Sequence, residues 1–335
     1  MKHWNVAVVG ATGLVGRKMV EVLEERKFPV KELRLLASAK SIGKTIPFQG
    51  RMVAVEQLTP DSFTGIDVAL FSPGAAVSKE FAPHAVRAGA LVIDNTSAFR
   101  MDADVPLVVP EVNPKDIFKH KGIIANPNCS TIQLVVALKP LHDRWKINRV
   151  VVSTYQGVTG AGVKAVNQLE GELAKNPDIE KKFPHPIAYN VIPQIDIFVD
   201  GGYTKEEIKM VNETKKIIGD DSIEITATCV RVPVIGGHSE SVNLDFDKPF
   251  DLKEIYDVLR KAPGIILQDD VQKNIYPMPI WSHEKDEVFV GRIRRDDTIK
   301  NGLNLWIVSD NLRKGAATNA VQIAEEWIKQ IKIKK

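Results

Sequence analysis

The chain has 335 residues, 44% of them hydrophobic and 26% charged, and a formal net charge of +3. That length suggests two domains, or one large domain with insertions, and so small and dispersed a charge argues against nucleic acid as a partner. No apolar run approaches the roughly 18 residues of a membrane span. Cys129 and Cys229 make no disulfide framework and fit a reducing cytoplasm. Met1-Lys-His-Trp-Asn leads straight into a strand-like run, which leaves no room for a signal peptide. With neither Cys-x-x-Cys nor His-Glu-x-x-His present, no metal site is expected.

Trp4-Asn-Val-Ala-Val-Val9 reads as a buried strand, and residues 14–27 as a helix with apolar positions at 15, 19, 22 and 23. Between them, Gly10-Ala-Thr-Gly-Leu-Val-Gly16 is a variant of the dinucleotide fingerprint in its strand–turn–helix setting. Gly10 allows the tight turn, Gly13 admits a pyrophosphate, and Gly16 lets the helix pack close to the sheet. The helix N-terminus, with Leu14 and Val15, then faces the phosphates. After the next strand, residues 33–37, an NAD site would place an acid on the ribose 2′-hydroxyl. Ser38-Ala-Lys-Ser-Ile-Gly-Lys44 has none. Ser38, Lys40 and Ser41 suit a 2′-phosphate instead, which favours NADP over NAD.

Strand-like runs recur at 53–55, 67–72 and 90–94, with helix-compatible sequence at 77–88, as βαβ units demand. Ser72-Pro-Gly-Ala-Ala76 sits at a strand's carboxyl end, where ligands of open α/β sheets bind. Asn95-Thr-Ser-Ala-Phe-Arg100 leaves the next strand end carrying an arginine. Leu107-Val-Val-Pro-Glu-Val112 and a short apolar strand at 122–125 lead back to Cys129.

Asn126-Pro-Asn-Cys129 then enters an apolar helix, placing a thiol in its first turn. Backbone N–H groups there favour thiolate and can hold an oxyanion or a phosphate. The position suits a nucleophile or a buried structural cysteine.

Residues 148–156 read as a strand running into Gln156-Gly-Val-Thr-Gly-Ala-Gly162, and a helix is expected over 163–174. Residues 175–203 read as loop. The stretch 204–218 is a helix with a capping box from Thr204 to Glu207. Glu206 and Lys209 share one of its faces, as a surface ion pair would. In the strand 223–234, alternation sends Cys229 and Arg231 to one side. A buried arginine is costly unless it meets an anion, and Arg231 suits a carboxylate. Gly236-Gly-His238 delivers an imidazole nearby, the usual acid–base partner of a thiolate; the other histidines read as structural. Residues 286–295 and 302–310 form a hairpin-like pair. Asn311 opens the turn into a last helix over 316–331, and the basic residues 331–335 read as its solvated end.

Together these stretches resemble bacterial aspartate-semialdehyde dehydrogenases. The matching motifs are Gly10–Gly16, Ser97-Ala-Phe-Arg100, Asn126–Thr131, Gln156–Gly162, Glu206-Glu-Ile-Lys209, Cys229-Val-Arg-Val-Pro-Val234, Gly237-His-Ser-Glu240 and Ser309–Ala317. The resemblance spans essentially the whole chain, in the family's order. It implies a Rossmann-type NADP-binding domain from residues 1–127 and 312–335, and an α+β catalytic, substrate-binding and dimerisation domain with a mixed sheet from 128–311. It further implies a cytoplasmic homodimer. The implied reaction is NADPH-dependent reductive dephosphorylation of L-aspartyl 4-phosphate to L-aspartate 4-semialdehyde, in lysine, threonine and methionine biosynthesis.

On this resemblance Cys129 forms a thioester, His238 moves a proton, and Gln156 orients the substrate. Arg231 holds the α-carboxylate and Glu206 the α-ammonium, while Arg100, Asn128 and Lys209 gather phosphate. Gly10, Thr12, Gly13, Leu14, Val15, Ser38, Lys40, Ser41, Ser72, Thr159, Gly160 and Asn311 touch NADP(H). N-acetyl-γ-glutamyl-phosphate reductase shares the chemistry, but its acetylated substrate has no ammonium for Glu206. Glyceraldehyde-3-phosphate dehydrogenase would want the missing acid after the second strand. A catalytically silent NADP-binding protein is the alternative of a different class.

Overall fold

The computed structural model describes residues 2–333, with side chains through residue 329. The basic side chains of residues 331–335 lie outside the described residues. The chain divides into two compact units, Met1–Asn128 with Ala316–Lys335, and Cys129–Gly315. Among the described residues no helix is long and apolar enough to cross a membrane.

The first unit is a doubly wound sheet. Its strands are β1 (Trp4–Val9), β2 (Val30–Ala37), β3 (Thr45–Phe48), β4 (Arg51–Gln57), β5 (Val68–Phe71), β6 (Leu91–Asp94) and β7 (Ile123–Ala125), in the order β3-β4-β2-β1-β5-β6-β7. Every pairing is parallel except β3 with β4. Alternation along β1 buries both faces, as a parallel sheet requires. Val6 and Val8 pack with α1 (Leu14–Glu25) and the C-terminal helix Thr318–Ile333, whereas Ala7 and Val9 pack on the side of α2 (Ala75–Arg87). The strand order reverses between β1 and β5, and ligands of such sheets bind at the carboxyl ends flanking that reversal.

The second unit carries a six-stranded mixed sheet in the order β11-β12-β13-β10-β8-β9. Its strands are β8 (Ile147–Gln156), β9 (Glu224–Arg231), β10 (His238–Phe246), β11 (Ile265–Leu267), β12 (Val288–Asp296) and β13 (Gly302–Ser309). The helices α3 (Cys129–Trp145), α5 (Lys205–Ile218) and α6 (Leu252–Lys261) pack in this unit, α3 against β8, β10 and β13. A further helix, α4 (Val163–Leu173), covers a small cluster of Val158, Ala165, Leu169, Ile187 and Ile192. In β10, His238, Glu240, Val242, Leu244 and Phe246 are buried, while Ser241 between them is exposed.

Residues 107–112 form no strand; Leu107 makes one isolated bridge to Ala125, because prolines at 106 and 110 remove ladder donors on both sides. The β3–β4 hairpin adds an antiparallel edge that sequence reading did not separate from its neighbours, and α6 and β11 were not anticipated. The capping box forms as expected: Glu207 N–H donates to Thr204 Oγ1 at 3.3 Å and Thr204 N–H to Glu207 Oε2 at 2.6 Å. Such a cap contributes about 1 kcal/mol. Its other carboxylate oxygen accepts Cys229 N–H at 2.9 Å, so one glutamate fixes both the start of α5 and the course of β9.

Candidate active site

In the first unit the glycine turn follows β1 directly. Gly10 has φ +81°, and a Cβ there would stand 2.9 Å from the backbone of Ser72 and Pro73, so the two strand-end turns meet. A Cβ at Gly16 would lie 2.2 Å from Gly10 O, which forces glycine where α1 crosses the turn. The first turn of α1 has neither a side-chain cap nor an acidic residue, leaving its N–H groups for an anion. Thr12 Oγ1 lies 3.2 Å from Ser41 Oγ, tying the glycine turn to the 3₁₀ turn after β2. Gly13, Ser38 and Lys40 are exposed there, Leu14, Val15 and Ser72 half-buried, and no acid stands in the turn. This donor set fits the phosphates of a dinucleotide. Arg100 is buried, its Nη2 donating to Asn95 O at 2.8 Å, and Asn128 is buried as well.

Asn126 fixes the approach to Cys129. Its Nδ2 donates to Asn95 Oδ1 at 2.7 Å, and its Oδ1 accepts from Asn319 Nδ2 at 2.7 Å. Cys129 is the first residue of α3. A Cβ on Gly315 would lie 2.9 Å from Cys129 Cβ, so glycine is required beside the thiol; its motif was noted in the sequence, but not this reason.

The second unit brings three of the candidate residues into one row. Gln156 ends β8 and pairs with His238 on one flank and Arg231 on the other, so the three share the buried face. Gln156 Nε2 donates to Ser130 Oγ at 2.7 Å, beside Cys129, and weakly to Thr154 Oγ1 at 3.3 Å and Glu206 Oε1 at 3.4 Å. One amide thereby links the thiol's helix to α5.

His238 is fully buried, and its Nδ1 accepts the Gly157 N–H at 3.1 Å. The proton therefore sits on Nε2, which has no hydrogen-bond partner among the described residues. Burial, and then the neighbouring Arg231 charge, push the imidazole down to about 3, so it is neutral. Arg231 Nη1 donates to Gly157 O at 2.7 Å. Burial draws this guanidinium below its ordinary value, opposed first by the Glu206 carboxylate. Burial pushes the Cys229 thiol strongly up, the mark of a structural cysteine.

Glu206 is buried in the first turn of α5, 3.1 Å from Lys209 Nζ, which also lies 2.9 Å from Asp196. Burial opposes its charge, but Glu206 and Asp196 hold Lys209 above its usual value. The pair expected from helical spacing is therefore a triad, whose third member comes from the irregular segment 175–203. Thr159 and Asn311 also have a role that spacing does not reveal. Asn311 Oδ1 accepts from Thr159 Oγ1 at 3.1 Å and from Gly237 N–H at 3.0 Å, clamping the turn after β8 to the turn before His238. Gly160 lies under a substrate-binding and a catalytic candidate: a Cβ there would be 3.0 Å from Arg231 Nη1 and 3.1 Å from His238 Nε2.

The family profile described as "Semialdehyde dehydrogenase, NAD binding domain" matches residues 5–120, and "Semialdehyde dehydrogenase, dimerisation domain" matches residues 138–314. The chain is 56% identical to the aspartate-semialdehyde dehydrogenase of Aquifex aeolicus over 335 residues, covering 98% of each. With that of Bacillus subtilis it shares 52% over 333 residues, 96% of each. It superposes on the crystal structure of aspartate semialdehyde dehydrogenase II complexed with ASA from Vibrio cholerae with a TM-score of 0.95, at 50% identity, covering 98% of this chain and 99% of that one. For the enzyme with NADP from Candida albicans the TM-score is 0.76 at 27% identity, covering 97% and 98%.

Proposed function

The chain belongs to the aspartate-semialdehyde dehydrogenase family, oxidoreductases of amino-acid biosynthesis with an NAD(P)-binding domain, and on that premise we propose its reaction in residue detail. It converts L-aspartyl 4-phosphate to L-aspartate 4-semialdehyde reversibly, through a thioester on Cys129, in the route to lysine, threonine and methionine. The observation that carries the reading is the Gln156–His238–Arg231 row, tied through Ser130 to the helix that begins with Cys129.

The sulfur of Cys129 attacks the acyl carbon, the acyl–phosphate bond breaks, and inorganic phosphate leaves. Arg100, Asn128 and Lys209 receive that phosphate. Arg231 grips the α-carboxylate, and Glu206, an acid held by Lys209, meets the α-ammonium. Gln156 orients the acyl group. In the tautomer that the Gly157 N–H selects, His238 presents Nε2–H to sulfur or to the oxygen of the tetrahedral adduct. Moving a proton at Nε2 from sulfur then requires the ring to release the Gly157 N–H at Nδ1.

The first unit would hold NADP(H), with the phosphates at Gly10, Thr12, Gly13, Leu14 and Val15, the 2′-phosphate at Ser38, Lys40 and Ser41, and Ser72 beside the turn; Thr159, Gly160 and Asn311 serve its reactive end. When bound, it supplies or accepts the hydride at the acyl carbon. Exposed Tyr189, Ile197 and Phe198 in the second unit are assigned to a two-fold contact with a second copy.

Phosphate-dependent reduction of NADP⁺ is followed with aspartate semialdehyde, N-acetylglutamate semialdehyde and glyceraldehyde 3-phosphate in parallel. The first should be turned over with the highest kcat/KM; an equal or better rate with either rival would overturn the substrate assignment.

A further inference from the structure

Two buried side chains, one on the six-stranded sheet and one on α3, have no part in the reaction as assigned. Glu240 is fully buried, and neither carboxyl oxygen has a hydrogen-bond partner at full geometry among the described residues. Gln133, 1% exposed, has its Nε2 in the same condition. The helix α3 that carries Gln133 packs on the strand β10 that carries Glu240. Burial pushes the Glu240 carboxyl well above the ordinary carboxylate range, and the Gln133 amide opposes this. Buried polar groups on two elements packed together call for a paired role, since an isolated one is costly.

The chemistry of the two groups is complementary in one protonation state. A carboxylic acid can give its O–H to the amide oxygen and accept the amide N–H on its other oxygen, while a carboxylate can only accept. Desolvation selects the acid.

Their positions connect the two groups on which the proposed reaction turns. Glu240 lies two residues along β10 from His238, so both side chains emerge on the same face. Gln133 lies one helical turn from Cys129 on α3, on the same side of that helix. On β10, Glu240 stands in register with Thr154 and Ile307, and Thr154 Oγ1 in turn accepts from Gln156 Nε2 at 3.3 Å. We propose that the Glu240–Gln133 pair is a positioning device, a bolt between the strand of His238 and the helix of Cys129 that sets how the sulfur and the ring meet. Glu240 is a positioning residue and touches no reacting atom. The inference rests on the assignment of Cys129 as nucleophile.

The test uses full-length enzyme carrying Glu240→Gln, Glu240→Leu, Gln133→Leu or both leucines, with Cys129→Ala as a control. Measured are kcat, KM for aspartate semialdehyde, the thermal midpoint, and the rate at which iodoacetamide alkylates Cys129, read by peptide mass spectrometry. Glu240→Gln, a neutral isostere, should keep kcat within about threefold. Glu240→Leu should lose about tenfold or more in kcat with KM nearly unchanged, as misplaced reacting groups do, and should change the alkylation rate. Gln133→Leu reaches the pair from the helix and should lose as much, with the double variant no worse than either single one. It also carries the test if Glu240→Leu does not fold. Unchanged kcat in the leucine variants, whatever their midpoints, would overturn the pair's role. So would a Glu240→Gln variant as impaired as Glu240→Leu, or additive losses. Turnover by Cys129→Ala would instead remove the nucleophile assignment and the bolt's purpose with it.

Discussion

Gly160→Ala is the most pointed perturbation of the proposed site, because the atoms nearest the added methyl belong to two functional groups. Gly160 is not in the left-handed region, so alanine brings no backbone strain. By reducing the freedom of the unfolded chain it could even stabilise by about 0.4–1 kcal/mol. The Cβ, however, would stand 3.0 Å from Arg231 Nη1 and 3.1 Å from His238 Nε2, inside the roughly 3.5–4 Å of a relaxed contact. Arg231 is held from behind by Gly157 O at 2.7 Å, and the His238 ring by Gly157 N–H at 3.1 Å, so both must shift against a fixed turn. Displacements of a few tenths of an ångström up to about 1 Å cost up to about a hundredfold in rate. The expected loss in kcat/KM is therefore about ten- to a hundredfold, or about 1.4–2.7 kcal/mol of transition-state binding. Gly162→Ala is the counter-control: with φ +88° and nothing within 4 Å of its Cβ, alanine there should cost stability rather than chemistry. Steady-state NADPH formation and thermal unfolding measure both variants. Full activity of Gly160→Ala, or a loss that tracks its unfolding, would refute the reasoning.

Three further outcomes follow from the same geometry. Arg231→Leu should raise KM for aspartate semialdehyde by about ten- to a hundredfold, the loss of one or two charge-assisted hydrogen bonds, while kcat changes far less; unchanged kinetics would remove Arg231 from the substrate. Lys40→Glu should weaken NADPH binding by about tenfold or more and spare NADH, so equal losses in a fluorescence titration would contradict the 2′-phosphate assignment. His238 titrates at about 3 when folded, against about 6.5 in an unfolded chain. Its folded value is depressed, so between these limits the unfolded state binds a proton that the native state does not, and stability falls as pH falls through that window. The stability difference between wild type and His238→Gln should therefore shift against the wild type from about pH 6.5 downward. A difference independent of pH in denaturant unfolding would show that His238 is not buried neutral.

Much of the fold was legible because its signals are local. The glycine spacing after β1 requires a strand–turn–helix, and the missing acid after β2 can be read without coordinates. Alternation in β9 put Cys229 and Arg231 on one face, where both are buried. What stayed hidden was set by neighbours far apart in sequence. Lys209 is shared with Asp196 from an irregular segment, and Asn311 bridges Thr159 and Gly237. The tautomer of His238 depends on the backbone N–H of Gly157. Glu240 lay inside a recognised motif, yet its meaning depends on full burial against the helix of Gln133, which no spacing reports.

The central claim is that Cys129 carries the acyl group. Enzyme mixed with L-aspartyl 4-phosphate in the absence of NADPH, quenched in acid and digested, tests it directly by mass spectrometry. Release of inorganic phosphate is expected, with one aspartyl group, labile to hydroxylamine, on the peptide containing Cys129. An acyl group on any other residue, or full turnover with no adduct and an intact Cys129→Ala activity, would contradict it.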